Sequence, residues 1–224
     1  MYNFIFILII MNQLKLFILA VSFFYLSIAF ADGDDIYLNN LNYCNVSKIE
    51  INDYEPLEFE STNNLLRKTG QEEIYCGEKI IVHGRVLDQN CVPVSDATLY
   101  AWQVNCSGKY TYQPLKTLVD KKLIDLDNST SFTGNGTATT NNKGEFYFIT
   151  VYPPAMHGLT SHINVRVEHN RLGSLQTNLK LKGQKVNNPK DNPELNSISG
   201  IAADNGISIY DFEIVLPGSG LKSY

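Results

Sequence analysis

The chain is short of the features that would make several function classes easy to support. It has no excess of basic residues: 18 Lys and Arg stand against 23 Asp and Glu, for a formal charge of −5. A nucleic-acid-binding surface usually needs a basic face, so nucleic acid is not an expected partner. It has only four cysteines in 224 residues, too few for a disulfide-dominated scaffold, and none in a C-x-x-C pair. A zinc or dithiol redox motif therefore has no support. Glycine (15) and proline (8) are at ordinary levels, which excludes collagen-like and proline-rich chains. There is no internal repeat, and no amphipathic stretch long enough for a 12-residue helix. Hydrophobic residues nonetheless make up 44% of the chain and charged residues 18%, so it can bury a core.

The long apolar run is N-terminal. Residues 1–30 are almost uncharged, which is the length of one membrane helix. A more specific layout lies inside the run. Met11-Asn12-Gln13-Leu14-Lys15 starts a segment with one positive charge, and Leu16 to Ile28 is an apolar core of 13 residues. Ala29-Phe30-Ala31 then supplies small residues at both positions of a cleavage site, just before Asp32-Gly33-Asp34-Asp35. That order is the layout of a secretory signal peptide. Residues 1–31 are accordingly read as a leader whose true start is Met11, cut after Ala31, and the mature protein as exported to the periplasm or the extracellular space. Membrane attachment is expected only if the leader stays uncleaved. Export puts Cys44, Cys76, Cys91 and Cys106 in an oxidising compartment. Two disulfides are then allowed, in any of three pairings; four buried free thiols are the other reading.

The mature part divides by character. Residues 32–75 are polar and Asn-rich, with one helix-like stretch near Thr62–Lys68, and read as an irregular extension that wraps or pairs. From residue 76 to residue 218 the pattern is that of strands. Lys79–Asp88, Ala97–Val104, Glu145–Val151, Ser161–Val167, Thr177–Leu181 and Ile207–Leu216 are β-rich and mostly alternate. Asn141-Asn142-Lys143-Gly144 is a turn signal before a strand. Residues 110–140 form a long connection rich in Asn, Thr, Ser and Gly, and residues 219–224 are a tail. Six or more short strands with turns between them predict an all-β fold, an antiparallel β-sandwich.

One stretch carries more than a pattern. Gly84, Val86, Asp88, Pro93, Val94, Ala97, Trp102, Gln103, Asn105, Gly108 and Tyr110 fall in the order G-x-V-x-D-x-x-G-x-P-V-x-x-A-x-x-x-x-W-Q-x-N-x-x-G-x-Y. Only the glycine at Cys91 departs. The run resembles the intradiol ring-cleavage dioxygenases (protocatechuate and catechol dioxygenases), and the likeness continues in order to Tyr210–Leu216, covering roughly residues 76–218. The short stretch Met156–His162 looks like the compact secreted members. The resemblance implies a non-haem Fe(III) held by two Tyr and two His side chains, a catechol-like substrate, O₂, and a homo-oligomer. A hard ferric ion favours anionic phenolate oxygen, and imidazole completes the set.

The implied residues are only partly present. Tyr110 matches the first tyrosine ligand and His162 the first histidine ligand. Met156 stands at the second tyrosine position, Asn164 at the second histidine, and Leu159 at an arginine that steadies charge on the substrate ring. A thioether is soft and suits Fe(III) poorly, an amide oxygen is neutral, and leucine offers no cation. His157 is a candidate substitute ligand, in a set with Tyr110 and His162; Tyr112, Tyr152 and His169 lie near the same segments. Two readings stand side by side. One is an exported intradiol dioxygenase. The other is a catalytically inactive relative, a pseudoenzyme serving as a binding or interaction module. Elsewhere, Trp102 is expected to pack inward with Gln103 bonding backbone, His83 to take a packing or surface position, and Arg85, Arg166 and Arg171 to be solvated. The Asn-x-Ser/Thr triplets at Asn45, Asn105, Asn128 and Asn135 are glycan acceptors only in a eukaryotic secretory path.

Overall fold

A computed structural model describes residues 43–127, 129–156, 158–181, 198–202 and 207–218. For residues 198–202 only the backbone is described. The leader at 1–31, the tail at 219–224 and His157 lie outside these residues.

The strands follow from side-chain alternation. Strand β1 (Lys79–Leu87) turns Ile80, Val82 and Val86 to one face, and β4 (Glu145–Val151) does the same with Phe146, Phe148 and Thr150. Strands β5 (His162–His169), β6 (Gly173–Lys180) and β8 (Ser208–Val215) bury Ile163, Val165 and Val167, then Leu175, Thr177 and Leu179, then Tyr210, Phe212 and Ile214. Strand β2 (Thr98–Trp102) adds Leu99 and Ala101. A period of two places each set on one sheet face, and the faces close on one another as a sandwich core. The sheets run β4-β1-β8-β7 and β3-β2-β5-β6, with β3 at Asn135–Thr139 and β7 at Ile198–Ala202.

The all-β sandwich expected from the sequence is present. Among the described strands β1 and β8 depart from an antiparallel arrangement, pairing in parallel with Ile80 opposite Ser208 through Leu87 opposite Val215. Six of the eight strands among the described residues match the predicted segments. Strand β3 lies inside the stretch expected to be only a connection, and β7 was not foreseen. Thr62–Lys68 is not helical. Its backbone bonds outward: the Leu65 N–H donates to the Ile149 carbonyl at 2.8 Å, and the Thr62 carbonyl accepts from Thr137 N–H at 2.9 Å. The Asn64 side chain takes the Leu66 N–H at 3.0 Å, the kind of local bond that competes with a helix.

Residues 43–75 wrap the sandwich as the sequence suggests, and they also enter it. Leu65 and Leu66 are fully buried in the main core. Gly136 in β3 makes room for this strap, because a Cβ there would overlap the Thr62 carbonyl. The strap is covalently pinned at both ends by the disulfides Cys44–Cys91 and Cys76–Cys106, which decides among the three pairings. Cys91 has a left-handed backbone (φ 60°), which accounts for glycine at this place in the motif. Arg166 is a correction. It is not solvated but lies 4.2 Å over the Tyr100 ring, with its guanidinium bonded to strap residue Glu55 and to Glu168.

The Cys44–Cys91 bond closes a loop of 47 residues, for which chain entropy gives about 4 kcal/mol. Replacing both cysteines by serine is expected to cost roughly 2–4 kcal/mol in guanidinium unfolding. An unchanged midpoint would show that the strap's N-terminal end is not covalently held.

Candidate functional site

The site lies on the outer face of the second sheet, not between the sheets. In β5, His162, Asn164 and Arg166 alternate with the core residues and so share that outer face. In β2, Tyr100 and Trp102 stand beside them, Trp102 opposite Asn164 and Tyr100 opposite Arg166. The strap and the 105–125 loop cover this face. A second apolar cluster results: Trp102, Val104, Tyr110 and Tyr112, with Tyr54, Phe59, Leu123 and Met156 packed against it.

A tight turn delivers Tyr110. The Asn105 side-chain oxygen accepts from the N–H groups of Ser107 (2.9 Å) and Lys109 (3.0 Å), and Gly108 takes the positive φ of 74° that the turn requires. The Asn105 of this glycan triplet is itself buried. Tyr110 then bridges to the far side of the loop, its N–H donating to the Leu123 carbonyl at 2.7 Å. Met156 comes from a second narrow turn, where Met156 and Leu159 exchange backbone hydrogen bonds. Its sulfur lies against Gly108, 3.3 Å from where a Cβ would stand.

Tyr110, Met156, Leu159, His162 and Asn164, five positions singled out from the sequence, line one cavity of about 130 Å³. Asn52, Tyr54, Val104, Leu123 and Pro154 complete its wall. A wider groove of about 560 Å³ by Ser61, His83 and Glu145 is open to solvent and holds none of these residues. His83 Nδ1 there donates to the Asp211 carboxylate at 2.6 Å. Tyr152 and His169 do not line the cavity: the Tyr152 hydroxyl donates to the Leu181 carbonyl, and His169 borders a different groove. Tyr112 is one layer back, its hydroxyl donating to the Tyr54 carbonyl at 3.1 Å.

Asn52 and Tyr54, from the strap, were not visible as site residues in the sequence. Asn52 Oδ1 accepts from the Trp102 indole N–H at 3.1 Å, and its Nδ2 donates to the Tyr110 hydroxyl at 3.3 Å. Tyr54 stacks on Tyr110 with ring centroids 4.5 Å apart and planes 11° from parallel. Trp102 is fully buried, but under the strap on the outer face and not in the sandwich core where the sequence reading put it, while Gln103 bonds backbone as expected, donating to the Val151 carbonyl at 2.9 Å.

The electrostatics favour neutral groups. Burial pushes the Tyr110 phenol above its ordinary range; the Asn52 amide opposes this, the neighbouring Tyr54 adds to it, and Asn164 opposes it. Burial raises Tyr112 further, with Tyr110 and Glu55 acting in the same direction. His162 Nδ1 donates to the Thr160 carbonyl at 2.8 Å. The Asn164 Nδ2 donates to the Trp102 carbonyl at 3.1 Å, and its Oδ1 is buried without a partner. Among the described residues no three His, Cys, Asp or Glu side chains come together to hold a metal ion.

The described donor set does not fit a ferric centre. One phenol held protonated, one imidazole, a neutral amide oxygen and a thioether supply too little anionic oxygen for a hard trivalent ion.

Comparison with known proteins gives the following. The sequence model of a family described as Dioxygenase matches residues 49–170. A Rickettsia bellii protein named "Putative dioxygenase" is 48% identical over 191 residues, 84% of this chain and 89% of that one. The solved intradiol ring-cleavage dioxygenase from Tetranychus urticae superposes with a TM-score of 0.58 at 17% identity, covering 80% of this chain and 98% of that one. The 3-chlorocatechol 1,2-dioxygenase of Rhodococcus opacus 1CP gives 0.52 at 16%, covering 83% and 77%.

Both raised phenols bind their protons more tightly in the folded state than in the unfolded chain, where tyrosine titrates near 10. Their contribution to stability is therefore complete below pH 10 and is lost as pH rises through the folded values. Ultraviolet titration of tyrosine is expected to show these two ionising last, together with falling stability above about pH 10. A Tyr110→Phe chain that lost no late-ionising phenol would contradict the assignment.

Proposed function

The chain belongs to the intradiol ring-cleavage dioxygenases, a family of non-haem iron enzymes, and from that premise we propose that it is a member whose sandwich and cavity persist while ring cleavage has been given up, leaving an exported binding module. One observation carries the reading. A single cavity gathers Tyr110 and His162 with Met156, Leu159 and Asn164, at the positions where the resemblance implies a second tyrosine, an arginine and a second histidine. The three replacements remove an anionic oxygen, a cation and an imidazole together, which is more than one retained Tyr–His pair offsets. When bound, the iron of the family's enzymes supplies the activation of substrate and O₂. Here the remaining groups offer a ligand an apolar and aromatic wall in which Asn52, His162 and Asn164 are the other polar side chains.

Two features support export: the signal-peptide layout of residues 11–31, and two disulfides of the kind that persist in oxidising compartments. Fold membership does not by itself carry activity, which belongs to the site.

The test is iron content. The full chain, produced with excess iron, is expected to purify with well under one iron per chain and no visible tyrosinate-to-iron band. The double variant Met156→Tyr with Asn164→His is expected to gain both. Near-stoichiometric iron, a visible band and catechol cleavage in the unaltered chain would overturn the reading and make His157 the third donor beside Tyr110 and His162. A double variant that folds but stays iron-free would show that Met156 and Asn164 are not the ligand positions.

A further inference from the structure

The outer face of the first sheet carries a second constellation. Tyr147 on β4 stands opposite His83 on β1, and His83 stands opposite Asp211 on β8. Each alternates with core residues and so points away from the core. The His83 ring is oriented by its 2.6 Å bond to Asp211. Tyr147 is 51% exposed, a large aromatic side chain standing open on a strand.

Beside this row lies the groove of about 560 Å³, between the edges of β3 and β4. The strap crosses at one end, where the Thr62 carbonyl accepts from Thr137 N–H and the Asn63 carbonyl accepts from Ile149 N–H, both at 2.9 Å. The turn at Asn141 joins the two strands at the other end. The walls are rich in groups with unused hydrogen-bonding capacity. The hydroxyls of Ser61, Thr139 and Tyr147 make no hydrogen bond among the described residues. One Glu145 oxygen takes the Asn141 amide at 2.9 Å, and the other has no partner among the described residues. Ile149 turns its backbone groups outward to the strap, so Tyr147, two residues earlier, turns its N–H to the same open edge.

These groups narrow the class of ligand. No Lys or Arg side chain lines the groove, so an anion finds no cation there. It also meets the Glu145 carboxyl, which the Asn141 amide holds below its ordinary range against desolvation, with Lys143, His83 and Arg85 acting in the same direction as Asn141. A wholly apolar ligand would strip water from hydroxyls and a carboxylate and return no hydrogen bond. A polyhydroxylated ring escapes both objections. Each of its hydroxyls donates and accepts, and its C–H face suits the negative face of an exposed aromatic ring. The volume lies within the roughly 300–1,000 Å³ usual for ligand sites.

We propose that this groove binds a neutral saccharide, one ring of which stacks on Tyr147 while its hydroxyls bond Ser61, Thr139 and Glu145. The groove shares no lining residue with the cavity, so the site stands whatever the cavity holds.

Calorimetric titration of the full chain with cellotriose, maltotriose and triacetylchitotriose is expected to give saturable binding of at least one. The anionic trigalacturonate is expected not to bind. Tyr147→Ala is expected to weaken the saccharide about five- to tenfold, whereas Tyr147→Phe keeps the ring and is expected to stay within about twofold. The side chain lies outside the core, so the thermal midpoint of these variants is expected to hold. Should Tyr147→Ala not fold, Tyr147→Leu, which keeps apolar bulk without the ring, decides in its place. Absence of saturable binding by all three neutral sugars overturns the proposal, as does trigalacturonate binding as tightly as they do. Undiminished binding in the folded Ala or Leu variant, or a loss in Tyr147→Phe equal to that in Tyr147→Ala, overturns it as well.

Discussion

A buried indole N–H needs an acceptor, and much of this molecule is arranged around the one that Trp102 finds. The acceptor is Asn52 Oδ1, on a segment with no regular secondary structure. The same oxygen takes the Tyr54 N–H at 2.8 Å, which sets the turn that lays the Tyr54 ring on Tyr110. The same amide donates to the Tyr110 hydroxyl. One side chain thus ties the floor of the outer face, its roof and its phenol together. Losing it would orphan a fully buried donor, which is among the costlier single defects a folded chain can carry. The strap that bears Asn52 has its own anchors: Leu65 and Leu66 in the core, and a disulfide at each end.

What could be read from the sequence divides along the same line. Strand β4 was legible to the residue, because Glu145–Val151 alternates and follows an Asn-rich turn. Strand β3 was not, because Asn135-Gly136-Thr137-Ala138-Thr139 has little apolar side chain to alternate. Its conformation comes from pairing with β2 and from the Thr62 carbonyl above it, both tertiary. Thr62–Lys68 misled for the converse reason: its spacing suits a helix, but Ile149 and Thr137 offer its backbone bonds that a helix would forbid. Arg166 was placed in solvent because nothing nearby in sequence announces Tyr100, Phe59 and Glu55.

At the site, the motif positions were legible and their convergence followed. Tyr110, Met156, Leu159, His162 and Asn164 do share a cavity. Asn52 and Tyr54 stayed hidden because their contribution depends on where the strap crosses the sheet, which local pattern does not encode. In β5 the core residues Ile163, Val165 and Val167 alternate with His162 and Asn164, so a change at either of the latter leaves the packing between the sheets untouched. Selection on stability and selection on chemistry act here on alternate residues of the same strand.

The paired tethers at Cys44–Cys91 and Cys76–Cys106 have an evolutionary consequence. They turn the segment between them into a cassette, a stretch held at both ends by bonds that its intervening residues do not make. Its inner residues can drift without the segment being lost from the surface. Because Tyr54 forms part of the cavity's cover, changes at that position could reshape the cavity while Asn52, which the Trp102 indole requires, and the sandwich beneath are kept.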